Sequence, residues 1–121
     1  MAHKIIWEEK GVYKHFSGFV NASEYLGSQQ EVLSDPRIDR MRYVINDWLA
    51  VERYAASPDD AEYSAAFNRA TSFSNPRLRV AFVTNSTAIR MLIAAAAPIS
   101  SLPVKAFSTL SEARAWAEGA S

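Results

Sequence analysis

Three carboxylates crowd together at Asp59, Asp60 and Glu62, and paired acids at such spacing are the raw material of general acid–base catalysis. The residues just ahead of them, Ser57-Pro58, give the cluster another meaning. A hydroxyl cap, a proline at the first helical position and acids in the first turn are how a helix begins. Of the two imidazoles, His3 lies at the terminus, and His15 sits in an alternating run that places it beside Tyr13, Ser17 and Phe19, as a partly exposed strand histidine. The absence of cysteine removes disulfides, thiolate metal sites and a Cys nucleophile. No phosphate-binding glycine loop, HExxH or GxSxG is present. The residue inventory therefore points away from an enzyme and calls for neither metal nor cofactor.

The elements that would position these groups follow from periodicity and punctuation. Ile5–Trp7, a turn through Gly11 in which the glycine supplies a positive φ, and Val12–Phe16 read as a β-hairpin. Asn21 stands three residues before Glu24 and opens a helix that buries Ala22, Tyr25, Leu26, Gln29, Val32 and Leu33 until Asp35-Pro36 stops it. Tyr43-Val44-Ile45, within 42–47, is the core of a strand covered on both faces. The helix capped by Ser57 turns Ala66, Phe67, Ala70 and Phe73 inward and ends at Asn75-Pro76. A strand over 78–83 leads to a helix capped by Asn85 or Ser86, with Ile89, Leu92, Ile93 and Ala96 inward up to Pro98. Val104–Phe107 is the last strand, and Thr109 with Glu112 forms a capping box for a helix that buries Leu110, Ala113, Trp116 and Ala117 before Gly119.

The order ββαβαβαβα over 121 residues predicts a single α/β domain, residues 1–121. Its five-strand sheet is mainly parallel, with an antiparallel N-terminal edge strand. A hydrophobic content of 49% supports a core, and equal numbers of acids and bases leave no overall field for nucleic acid. The longest apolar run, 91–99, is too short to span a bilayer, and no signal-peptide core precedes the first strand, so the expected address is the cytoplasm.

In parallel sheets ligands gather beyond the carboxyl ends of the strands. Here that rim is read as Asn46, Asp47, Trp48, Asn85, Ser86 and Thr109, which would equally serve as helix caps and core cover. The opposite rim collects Arg37, Arg40, Arg42, Arg77 and Arg79, a surface for an acidic partner or an anionic membrane. The smooth helix face 94–97, or the hairpin edge, offers a route to a homodimer.

Four segments carry a resemblance: 11–18 (GVYKHFSG), 35–47 (DPRIDRMRYVIND), 75–83 (NPRLRVAFV) and 107–116 (FSTLSEARAW). Together they resemble the bacterial SpoIIAA-like, or STAS/SEC14-type, family of small proteins of uncharacterised function. The resemblance implies a non-catalytic STAS-like binding or regulatory module with a protein partner. Relatives in the anti-sigma-factor antagonist branch carry a phosphorylatable serine at the start of the helix after the central strand. Ser57 falls near that place, although Pro58 and two acids replace the glycine-containing signature. Ser57 is thus read as a phosphorylation site or a plain N-cap. The SEC14 side implies, as the alternative, binding of a small apolar ligand or peripheral contact with a membrane.

Overall fold

The computed structural model describes residues 3–119, which form five strands and four helices in the expected order. The strands are β1 (His3–Trp7), β2 (Gly11–Asn21), β3 (Tyr43–Ala55), β4 (Arg79–Val83) and β5 (Val104–Phe107). The helices are α1 (Ala22–Leu33), α2 (Pro58–Ser72), α3 (Thr87–Ser100) and α4 (Leu110–Ala117), with a 3-10 turn at Pro36–Arg40. The sheet order is β1-β2-β3-β4-β5; β1 is antiparallel to β2, and every other pair is parallel. Because each crossover joins adjacent strands, a constant right-handed connection places α1, α2 and α3 on one side of the sheet. Val12, Phe16, Val44, Trp48, Val80 and Phe82 meet Tyr25, Val32 and Ile89 there in the larger core. On the other side α4 covers Tyr43, Ile45, Ala81 and Val83 with Ala113 and Ala117.

The helix caps are the ones the sequence specifies: Asn21, Ser57, Ser86 and Thr109 each accept from a backbone N–H of the first turn. The Asp35-Pro36 and Asn75-Pro76 segments that enter β3 and β4 are clasped together. Asn75 Nδ2 donates to the carbonyls of Ile38 and Met41, both at 2.8 Å.

Several expectations are corrected. Gly11 does not occupy the left-handed region; it is needed because the Tyr43 ring lies where a Cβ would sit, 2.2 Å from its nearest atom. The left-handed glycines are Gly119, after α4, and Gly18, at φ 67° inside β2 where the pairing register with β3 shifts. His3 belongs to β1 and packs on Phe16 with its Nδ1 2.9 Å from Glu24 Oε2. The inward face of α2 is Ala61, Ser64, Ala65, Asn68 and Thr71, whereas Ala66 and Ala70 are exposed and Phe73 is 84% exposed. That stripe is small and polar because Gln29 of α1 reaches across to it, donating to the Ser64 carbonyl and to Asn68 Oδ1. Counting apolar residues selected the wrong side. Helix α3 runs past Pro98 to Ser100 before Ser101 closes it at φ 60°.

Candidate functional site

The longest departure from the expected strands decides where the site residues lie. Strand β3 does not end at Asp47 but continues to Ala55 alongside an equally extended β2. Two register shifts break the alternation of the overhang, so the residues after Asp47 do not read as a strand in sequence. Asn46, Asp47 and Trp48 are therefore mid-strand and buried, not on the carboxyl rim. Asp47 faces α4's side of the sheet, where its Oδ2 accepts from Tyr13 OH at 2.5 Å and its Oδ1 from the Leu49 N–H. Burial and the hydrogen bond to this carboxylate push the Tyr13 phenol well above its ordinary value.

Asn85, Ser86 and Thr109 do lie at the carboxyl ends of β4 and β5. Ser86 and Thr109 are occupied as caps, and Asn85 is exposed. The rim is spanned by Arg90, which donates to the Thr84 carbonyl at 3.3 Å and to Ser108 Oγ at 2.9 Å. Ser57 is exposed, and its Oγ joins a full capping box with Asp60. Asp59 and Asp60 thereby serve the helix start.

The five arginines gather at the amino ends of β3 and β4 but differ in freedom. Arg37 forms a two-pronged pair with Asp35 and stacks 3.9 Å from the Trp7 ring centre. Arg79 turns to the other side of the sheet, donates to the Trp116 carbonyl and covers the Trp116 ring. Arg40, Arg42 and Arg77 are exposed and make no ion pair among the described residues. At the same end, Arg114 of α4 grips Glu8 through two bonds of 3.0 and 2.8 Å, and Tyr43 OH donates to the same carboxylate at 2.5 Å. The guanidinium holds the Glu8 carboxyl below its usual range, while burial and Glu8 push the Tyr43 phenol up to about 12.

The least expected group is Lys14. It lies on the helix side of β2 between Val12 and Phe16 and is 1% exposed. Its Nζ donates to Ser28 Oγ at 3.2 Å, and Ser28 in turn donates to the Tyr25 carbonyl. The rings of Tyr25 and Phe16 lie 5.0 and 5.5 Å from Nζ. No carboxylate pairs with it among the described residues. Burial consequently lowers its pKa to about 7, against a slight opposing pull from Glu31.

Two further orphans lie nearby. Asn46, the register partner of Lys14, has its Oδ1 buried without a partner, and Trp48 Nε1 is likewise unpaired. Trp48 walls an apolar cleft of about 50 Å³ between α2 and α3. Lys14 and Asn46 line a smaller chamber of about 10 Å³, and Tyr25 and Asn68 are walls of both spaces. Sequence reasoning overlooked Lys14 and Arg90; the break in apolar parity at Lys14 was the available signal.

A five-strand sheet with three helices on one face, one on the other and a serine-capped helix after the central strand defines a small α/β fold. The chain belongs to the SpoIIAA-like family, which it matches over residues 15–118. Among solved structures it is similar to the anti-sigma factor antagonist SpoIIAA in its unphosphorylated form, with TM-score 0.65 and 10% identity over 98% of this chain and 99% of that one. It is also similar to an uncharacterised Shewanella loihica protein of the DUF3478 family with a SpoIIAA-like fold, with TM-score 0.55 and 13% identity over 95% and 91% of the two chains. No curated protein matches. Of the two branches suggested by the sequence, these findings bear out the SpoIIAA-like one; neither structure is described as SEC14-like. Among the described residues no helix is long and apolar enough to cross a membrane.

Proposed function

We propose that this chain is a non-catalytic regulatory module that docks a protein partner on the outward face of α3. One observation carries the reading. Helix α3 has a single charged residue, Arg90, which is turned to the carboxyl rim. Its water-facing stripe is Ala88, Met91, Ala95 and Ile99, with Met91 68% and Ile99 37% exposed. A surface helix ordinarily turns charged residues to solvent, so an apolar outer stripe on a helix already packed inward calls for a second cover. Similarity to an anti-sigma factor antagonist supports a protein in that role.

The exposed Arg40, Arg42 and Arg77 would orient an acidic partner, and Arg37 and Arg79, already engaged within the fold, would contribute less. Ser57, exposed at the start of α2, is where a phosphate would be read, opposed by Asp59 and Asp60 and favoured by the helix N-terminus. A second copy of this chain is the simplest partner and would give a homodimer.

The test is affinity capture from source cells with the wild type and with Met91→Lys and Ala95→Lys, both at exposed positions. A stoichiometric protein retained by the wild type and reduced at least tenfold by either variant is expected. Light scattering of the same three proteins identifies the case in which the partner is a second copy. A monomeric wild type whose captured proteins are indifferent to both substitutions overturns the proposal.

A further inference from the structure

A parallel sheet ordinarily has helices over the whole of both faces, but here the second face is covered on one half only. Helix α4 packs on β3, β4 and β5, and its Arg114 reaches on over the Tyr13 ring to Glu8. Lys4 and Ile6 of β1 lie opposite His15 and Tyr13 of β2 on that face, and no helix packs over them among the described residues. Lys4 is exposed, His15 is half-buried and Ile6 is 50% exposed. Two adjacent strands are about 10 Å across, the diameter of one helix with its side chains. The bare half is thus a helix-wide furrow beside a single helical ridge.

The ridge has the chemistry that the furrow lacks. The outer stripe of α4 is Ser111, Glu112, Ala115 and Glu118, all exposed. Its two small side chains allow a second sheet to approach closely, and its two acids complement Lys4 and His15 in the furrow and the exposed Lys10 and Arg42 at the amino end. Both acids keep acceptor capacity: Glu112 accepts from Thr109 through one oxygen, and Glu118 stands 3.7 Å from Arg114. The levels also agree. Helix α4 runs from the carboxyl end of β5 to Gly119, beside the Arg79 guanidinium at the start of β4. Ala115, midway along it, is level with Ile45, whose register partners are Tyr13 and then Ile6.

We propose that two copies of this chain pack with these sheet faces toward each other, the α4 ridge of each seated in the β1–β2 furrow of its partner. A two-fold axis parallel to the strands, above the boundary between β2 and β3, generates this arrangement. It preserves strand direction and exchanges the covered half for the bare one, so both furrows are filled at once and the contact closes. Glu112 of each copy then comes level with Lys4 and His15 of the other, and Ala115 with Ile6. The outward face of α3 lies on the opposite side of each copy and stays open, so this inference does not rest on the docking proposed there.

The experiment is sedimentation equilibrium of the full chain over a wide concentration range, with Ile6→Glu, Ala115→Lys, the two combined, and Met91→Lys. Circular dichroism confirms that each variant, changed only at exposed positions, is folded. The wild type and Met91→Lys should be dimers, and either of Ile6→Glu and Ala115→Lys should weaken association at least tenfold. The combined variant, in which the two new charges face each other, should recover it. A monomeric wild type overturns the proposal, as does a dimer indifferent to both single substitutions. Failure of the combined variant to recover association overturns the pairing of α4 with the furrow. A dimer broken by Met91→Lys would place the second copy on α3 instead, and so separates this inference from that reading.

Discussion

Replacing Lys14 by Met changes how stability depends on pH, and the magnitude follows from the burial of the ammonium. In the unfolded chain the amine titrates at its ordinary value of 10.5, and in the fold at about 7. Between those values the unfolded state holds the proton and the folded state does not, so stability rises with pH across that window and is lowest below it. Each pH unit in the window contributes about 1.36 kcal/mol, so the wild type gains at most about 2.7 kcal/mol from pH 7 to pH 9 through this residue. Met brings no charge to desolvate and fills nearly the same volume, so the variant lacks this gain and is the more stable protein at pH 6. Urea unfolding at constant ionic strength and pH 6, 7, 8 and 9 measures both proteins. The difference between them cancels the contributions common to both proteins. It should favour the variant most at pH 6 and shrink by about 2 kcal/mol or more by pH 9. A difference constant within about 0.5 kcal/mol over the range would refute the claim that Lys14 is buried without a counter-charge.

Three further perturbations test the surrounding framework. Gly11→Ala places a Cβ against the Tyr43 ring, 2.2 to 2.5 Å from three of its atoms, and should cost about 1–3 kcal/mol in urea unfolding; an unchanged midpoint would show that the ring moves freely. The Glu8–Arg114 pair is about a quarter to a third exposed, so a double-mutant cycle with Glu8→Gln and Arg114→Gln should return a coupling of about 1 kcal/mol, and a value near zero would reduce it to a surface pair. Because Glu8 is held below its ordinary value, its contribution is present above the unfolded value and lost as pH falls through the folded one. Acid unfolding of Arg114→Gln should accordingly lose less stability on acidification than the wild type. Ser57→Ala removes the hydroxyl of a complete capping box and should destabilise the protein by about 1 kcal/mol, measured by thermal unfolding; no change would mean that Pro58 and the acids suffice to start α2.

How far these features could be read in advance depended on whether their causes were local. Caps, proline stops and strand cores act over three or four residues, so the order of elements and the helix starts at Asn21, Ser57, Ser86 and Thr109 were legible. The length of β3 was not, because the overhang to Ala55 exists through pairing with β2, and its bulges erase the period-2 signal. That single misjudged end moved Asn46, Asp47 and Trp48 from the core to an imagined rim. The inward face of α2 was misread for a related reason: Asn68 and Ser64 are satisfied by Gln29, thirty-odd residues away, and no apolar count anticipates such a partner. Lys14 is the opposite case. Its inward position followed from the parity of Val12 and Phe16, so the violation was visible in the sequence, while the groups around it come from α1, β3, α2 and β4. An ordinary core would have put Val or Ile there. A residue that breaks the pattern of its own strand, gains only one hydrogen bond and meets no opposite charge among the described residues lowers stability without structural return, whereas the acids that first resembled a catalytic pair serve the start of α2.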